Sequence, residues 1–398
     1  MVSVQVIATP AEFDLAVSRL EAGSGPIAID AERASGFTYS QRAYLIQVFR
    51  REAGIFLFDP PAIGDMSRLS DAGKDVEWIL HAASQDLACL REVGIDPQRI
   101  FDTELSSRLL GFERVGLGSV VAEVLDVHLA KEHSAADWST RPLPEPWLEY
   151  AAQDVELLVD LRDKLHALLL EQQKWEIAQQ EFSATLEKKP KEISPEPWRK
   201  LSGMHTLRAP RQLAIARALW LARDEYAQRT DTSPGRLLPD ASIIAAVMAN
   251  VPTKTELAKL KSFNGRASRA QLDRWWQAIE EGRRDEHLPI MRVPSEGPPP
   301  HRTWREKNPE ALARLRSARA VLEETSQHMN LPLENLLTPA TLREIAWQPP
   351  EELSTESIAH ELHRRGARQW QIDATAAGIA EAFLHPSEQT DDDRTEAP

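Results

Sequence analysis

Four carboxylates and one phenol stand at spacings that could hold divalent cations. Asp30 and Glu32 close the apolar run Pro26-Ile27-Ala28-Ile29-Asp30-Ala31-Glu32, which reads as a strand. Residues two apart on a strand share a face, so both carboxylates project together from the strand's end. Asp86 opens a helical pattern shortly after His81, which lies at the end of another predicted strand. Tyr150 and Asp154 are four apart in a helical pattern, which puts the phenol and the carboxylate on one face. Acids converging with no matching cluster of His or Cys point to hard cations, Mg²⁺ or Mn²⁺, which take oxygen ligands. Two such ions about 3.5–4 Å apart hold the attacking and leaving oxygens of an in-line phosphoryl displacement. The tyrosine would then orient the attacking water or help to deprotonate it. Each piece also has a bland reading: strand-end acids are often solvated caps, a Tyr/Asp pair is common on helix surfaces, and His81 could be a satisfied core histidine. Order and context distinguish the set.

The elements that must position these groups alternate. Strands are expected at 26–32, 43–49 and 54–59, the last two joined by a turn at 50–53, so the three form a meander. A fourth covers 78–82. Helices are expected at 84–93, 104–110, 117–125, and as one long element from 146 to about 186. This alternation implies an α/β domain. Proline-dense stretches at 188–197 and 293–300 read as linkers. The two segments beyond look all-helical and resemble each other. Arg236-Leu237-Leu238-Pro239-Asp240-Ala241 sits in the same context as Asn335-Leu336-Leu337-Thr338-Pro339-Ala340, and the offset is about 100 residues throughout. The expected division is an α/β domain at 1–188, a helical module at 194–284, a second, divergent one at 301–385, and a disordered acidic tail at 386–398.

Composition sets the remaining bounds. A chain of 398 residues, 42% hydrophobic and 27% charged, is an ordinary globular chain of two or three domains. The single Cys89 excludes an internal disulfide framework and a Cys-based zinc site. No apolar stretch reaches membrane-spanning length, and the start lacks a basic region followed by a long apolar one, so a cytoplasmic protein is expected. The net charge of −14 is unevenly placed: 16 Lys+Arg face 30 Asp+Glu in 1–185, 20 face 13 in 186–293, and 11 face 18 in 294–398. A basic middle between acidic flanks suggests a polyanion-binding module. Removing residues from about 190 onward is expected to weaken binding of a long polyanion much more than it slows turnover of a short one.

The ordered set of motifs resembles the DEDD superfamily of 3′–5′ exonucleases, its tyrosine-bearing subgroup, and within it the ribonuclease D family. Leu80-His81-Ala82-Ala83-Ser84-Gln85-Asp86-Leu87 resembles the family's second exonuclease motif, and Phe101-Asp102-Thr103 its apolar-Asp-Thr segment. Asp137-Trp138-Ser139-Thr140-Arg141-Pro142-Leu143 and Glu149-Tyr150-Ala151-Ala152-Gln153-Asp154-Val155 are similar to the third motif and its approach. The two helical modules are similar to HRDC domains. The resemblance implies a ribonuclease-H-like mixed-sheet exonuclease domain followed by two all-α helical bundles. It implies a 3′–5′ exoribonuclease with two metal ions, acting on structured RNA such as tRNA precursors and releasing nucleoside 5′-monophosphates. Metal ligation and catalysis would fall to Asp30, Glu32, Asp86, Asp154 and Tyr150. Substrate contacts would come from His81, Gln47, Ser139 and Arg141. Two positions depart from the family pattern: Ala31 stands where Thr is more frequent, and Arg33 where Phe is usual.

Other candidates are weaker. Lys261 and Arg266 flank Gly265 before a helical pattern and could meet a phosphate; the glycine could equally stop a helix. Of Trp275 and Trp276, at most one can face RNA, since neighbours on a helix diverge by about 100°. Lys131 and His133 read as a solvated face. A 3′–5′ DNA exonuclease and an inactive nucleic-acid-binding scaffold are the alternatives; the first is separated by matched RNA and DNA strands, the second by inactivity at saturating Mg²⁺.

Overall fold

A computed structural model describes residues 5–129, 135–190, 192, 194–263, 265–293 and 297–386. Six strands form one mixed sheet: β1 (Val6–Ile7), β2 (Ser24–Arg33), β3 (Ala43–Arg51), β4 (Gly54–Phe58), β5 (Trp78–Leu80) and β6 (Ile100–Asp102), ordered β1-β4-β3-β2-β5-β6. The expected meander is present, with β2, β3 and β4 antiparallel neighbours, while β5 and β6 run parallel to β2. β1 and β6 escape a reading by alternation because two or three residues carry no period. The main core lies under the helices, with Ile27, Ile29, Trp78, Ile79, Phe101, Leu161 and Leu165 among its buried residues.

The expected long helix is three: Glu145–Glu156, Leu158–Glu171 and Trp175–Glu187. Apolar spacing continues across the breaks, which hides them. At the second break Gln173 adopts a φ of 56°, and the buried Lys174 turns its ammonium to the carbonyl of Leu109 at 2.7 Å. The expected helix at 84–93 is also divided, into a 3₁₀ turn Ala83–Gln85 and a helix Leu87–Glu92.

Two further cores follow. One gathers Trp198, Leu219, Leu238, Phe263, Trp275 and Ile279; the other gathers Trp304, Leu322, Leu336, Ile345, Leu362 and Ile379. Their elements repeat at nearly constant offset. The 21-residue helix Pro210–Thr230 corresponds to the 21-residue Pro309–Met329, Pro234–Leu237 to Leu333–Leu336, and Leu272–Arg284 to Gln369–Leu384. Trp275 is core, and Trp276 is half-buried beneath Arg283, its guanidinium 5.2 Å from the ring. Gly265 begins a helix, Arg266–Ala270, rather than ending one. Lys131, His133, Asn264 and residues 387–398 of the acidic tail lie outside the described residues. No helix among the described residues is long and apolar enough to cross a membrane.

Candidate active site

β2 carries the first two acids within its last four residues, with Asp30 opposite Gln47 and Glu32 opposite Leu45 on β3. Helix Glu145–Glu156 crosses this face and delivers Asp154. One carboxylate oxygen from each of Asp30, Glu32 and Asp154 lies within 4.8 Å of the others, a group able to hold a metal ion. Three of the four predicted acids therefore meet.

Asp86 lies outside that 4.8 Å group, though its charge and that of Asp30 act on one another. It lies at the junction between Ala83–Gln85 and Leu87–Glu92, buried, with Arg33 Nη2 at 3.6 Å. Two features place it. The chain leaves β5 through Ala82, which is left-handed with φ 62°. That conformation costs a non-glycine residue on the order of 1 kcal/mol and persists where surrounding bonds enforce it. Asp102 enforces it: its carboxylate accepts from the N–H of Ala82 at 3.1 Å and Ala83 at 2.8 Å, and from Glu104 and Leu105 at the head of the next helix. Asp102 and Arg33, which entered the sequence reading only as part of a family segment and as a departure from it, are the neighbours of the site that spacing did not single out. An N-cap acid before 103–109 was the available signal for the first. The register shift after Glu32 that accompanies Arg33 has none.

The acids repel one another in a poorly solvated place. Burial, then the charges of Asp30, Asp154 and Asp86, pushes Glu32 up to about 9. Burial and Asp30 push Asp86 and Asp154 each up to about 8. Asp30 is also raised by burial, against its bond from Ala31 and the charge of Arg33. The Arg33 guanidinium supplies the positive charge that opposes this rise at Asp30, Glu32 and Asp86. The set is all oxygen and strained by like charge, which suits hard divalent cations. Gln47 adds a second sign: its amide is fully buried opposite Asp30, and neither polar atom has a partner in the structure. Tyr150 is hydrogen-bonded to Asp154, and burial with the charges of Asp154 and Glu32 raises its hydroxyl well above the ordinary phenol range.

The predicted substrate contacts fare differently. Gln47 is fully buried, so its side chain is not presented to a substrate. Arg141 spends its guanidinium on Asp59 at 2.6 Å and on the carbonyls of Trp138, Thr140 and Tyr44, and so pins a loop instead of offering a fork to phosphate. Ser139 donates to Asp137 at 2.5 Å. His81 is half-buried, with Nδ1 2.9 Å from Thr103 Oγ1 and a bond to the backbone of Val115, and burial lowers it to about 4. Lys261 and Arg266 are exposed on the first helical module.

Residues 4–170 match a family described as 3′–5′ exonuclease, and residues 212–279 match the HRDC domain. Residues 297–383, expected as a second HRDC-like module, match a family described as 3′ to 5′ exonuclease C-terminal domain. Over 321 residues the chain is 31% identical to ribonuclease D of Pseudomonas paraeruginosa, covering 78% of this chain and 81% of the relative. A crystal structure of a protein from Bifidobacterium adolescentis superposes with a TM-score of 0.88 at 37% identity, covering 96% of this chain and 97% of that one. Escherichia coli RNase D, described as an exoribonuclease involved in structured RNA processing, superposes with a TM-score of 0.66 at 25% identity, over 91% of this chain and 98% of that one.

Proposed function

The chain belongs to the ribonuclease D family of 3′–5′ exoribonucleases, and on that premise we propose that Asp30, Glu32, Asp86 and Asp154 hold two divalent cations, Mg²⁺ or Mn²⁺, with Tyr150 as the catalytic tyrosine. The observation that carries this reading is the convergence of Asp30, Glu32 and Asp154 within 4.8 Å, with Asp86 close enough for its charge to act on Glu32. When bound, such cations supply charge stabilisation and an activated water for in-line phosphoryl displacement. The chain's residues do the rest. The four carboxylates orient the cations, and their mutual repulsion falls as these bind. The Tyr150 hydroxyl, kept protonated by its acidic neighbours, donates a hydrogen bond that aligns the attacking oxygen with the scissile phosphate.

The substrate in this reading is the 3′ end of structured RNA such as a tRNA precursor, shortened in the cytoplasm to nucleoside 5′-monophosphates. The exposed Lys259, Lys261, Arg266 and Arg269 supply the phosphate contacts that an acidic nuclease domain lacks. The nuclease domain would span 1–188, the first helical module 194–284 and the second 301–385. Digestion of a 3′-extended tRNA precursor and a matched DNA strand with Mg²⁺, Mn²⁺ or EDTA tests the reading. Stepwise 5′-monophosphate release from RNA with metal, and none in EDTA, is expected. Undiminished release in EDTA would remove the cations from the chemistry.

A further inference from the structure

The loop that leaves β2 is gripped by another part of the chain. Helix Pro210–Thr230 ends at Asp231, left-handed with φ 43°. The Asp231 carboxylate accepts from the backbone N–H of Ser40 at 2.8 Å, from the Ser40 hydroxyl at 3.1 Å and from the Tyr44 hydroxyl at 3.2 Å, with Arg42 at 3.3 Å. Two turns earlier, Asp224 accepts from the Tyr39 hydroxyl at 3.0 Å, and Gln228 donates to the same hydroxyl at 2.9 Å. Beyond the helix, the N–H of Ser233 donates to the carbonyl of Phe37 at 2.9 Å. Arg236 donates to the carbonyl of Gly36 at 2.8 Å and sets its guanidinium 4.0 Å from the centre of the Phe37 ring. Gly36 itself needs the freedom of glycine, with φ 85°.

This loop begins two residues after Glu32, and two gripped side chains, Phe37 within it and Tyr44 just beyond it on β3, line a small separate core. Ala34, Tyr44, Leu45, Leu57, Trp138 and Ala151 are its buried members, and Phe37 and Tyr150 pack against it. The Trp138 and Tyr150 rings are 6.5 Å apart, and Arg141 ties the Tyr44 carbonyl to the loop that carries Trp138. A core of six buried residues has little apolar surface of its own to fix a side chain. A catalytic phenol needs placement to about 0.5 Å. Beyond its bond to Asp154, a further restraint arrives through Tyr44 and Phe37 from the first helical module.

We propose that Asp231 and Arg236 are positioning residues for Tyr150: by holding Tyr44 and Phe37 they set the small core on which the tyrosine packs, so the first helical module contributes to the rate of the chemical step as well as to RNA binding. The proposal rests on the reading of Tyr150 as the catalytic tyrosine. It also revises the expectation that losing the helical modules weakens binding of long structured RNA much more than it slows cleavage of short strands. Truncation near 190 removes the grip along with the basic face, and so slows cleavage of any substrate.

The experiment uses the full chain and a short single-stranded RNA, comparing wild type, Asp231→Ala, Asp231→Asn, Arg236→Ala, Tyr150→Phe and the double variant Tyr150→Phe/Asp231→Ala. Tyr150→Phe should lower kcat about 100-fold, as removal of a positioned catalytic group does. Asp231→Ala should lower kcat about tenfold with KM within about twofold, and Arg236→Ala should follow it to a lesser degree. Asp231→Asn keeps an acceptor oxygen and should recover at least part of the loss. In the Tyr150→Phe background, Asp231→Ala should cost no more than about a further twofold, because residues that act through one another are not additive. Unchanged kcat in both Asp231→Ala and Arg236→Ala overturns the proposal and leaves the tyrosine assignment standing. So does a full tenfold loss from Asp231→Ala in the double variant. Wild-type turnover in Tyr150→Phe overturns the assignment itself.

Discussion

Both helical modules meet the nuclease domain at the left-handed residue that ends their longest helix, Asp231 in the first (φ 43°) and Asn330 in the second (φ 48°). The two positions correspond in the repeat, yet they meet opposite chemistry. Asp231 faces donors, the N–H and hydroxyl of Ser40 and the hydroxyl of Tyr44. Asn330 faces the carbonyl of Leu110, to which its amide donates at 3.3 Å, while its own backbone carbonyl accepts from the Lys174 ammonium at 3.0 Å. Gly111 permits that approach, since a Cβ there would fall 2.7 Å from the Asn330 amide. Exchange of the acid and the amide would leave each without its proper partners. The surroundings differ as well. The first contact is polar, partly exposed and adjacent to the catalytic strand. The second is anchored by buried Glu181, which accepts from Arg368 at 2.5 and 2.7 Å and from the Trp370 indole at 2.7 Å. One duplicated cap thus meets two different surfaces; under the proposal above the front contact sets placement at the candidate active site, while the rear contact, with Glu181 beside it, is expected to bear on stability.

The strongest test of this division fixes where the chemistry is. Asp30→Asn and Asp154→Asn should each lower turnover by about 1,000-fold or more, because an amide is a poor substitute for a metal-binding carboxylate. RNA affinity should hold, since neither residue touches either module. Activity within about threefold of wild type in either variant would take that residue out of the site.

Glu181→Ala tests the rear contact. It strands the guanidinium of Arg368 and the indole N–H of Trp370, and should destabilise the chain by about 3 kcal/mol in denaturant titration. Turnover of the folded enzyme at 25 °C should stay within about twofold. A tenfold fall in kcat at full folding would dissolve the distinction between front and rear.

A third measurement uses pH. The front carries acids raised by burial and mutual repulsion, with Glu32 up to about 9 and Asp86 and Asp154 up to about 8. The metal-free native state therefore keeps protons that the unfolded chain has released, from pH of about 4 to about 9. Stability is present in full below that window and is lost as pH rises through it. In EDTA the melting temperature should fall from pH 5 to pH 9, and saturating Mn²⁺ should remove or reverse the slope. Parallel curves with and without Mn²⁺ would mean that the acids bind no cation in the native state.

The smallest effect concerns affinity. Charge reversal at Lys261, Arg266 and Arg269 should flatten the slope of log affinity against log salt by about 0.7–0.9 for each phosphate that these side chains neutralise. Turnover of short strands should stay unchanged, because these exposed side chains are absent from the grip on the loop after β2. An unchanged slope would make them a solvated face.

Local pattern determined much of this protein. Alternation and turn residues marked the β2–β3–β4 meander, strand period put Asp30 and Glu32 on one face, helix period paired Tyr150 with Asp154, and the offset of about 100 residues exposed the duplication. These features were legible because each depends on neighbours within a few residues, where period and propensity act. Tertiary structure decided the rest. It set Asp86 beside Arg33, where its charge still acts with those of the trio, and it broke one apparent helix at the buried ammonium of Lys174. It also spent Arg141, Ser139 and His81 on internal partners and buried Gln47 outright. The grip of Asp231 on Ser40 and Tyr44 spans 191 and 187 residues of sequence. A side chain's type announces what it can bond to, but which donor reaches it across that distance is settled only when the packed domains bring both groups to one place.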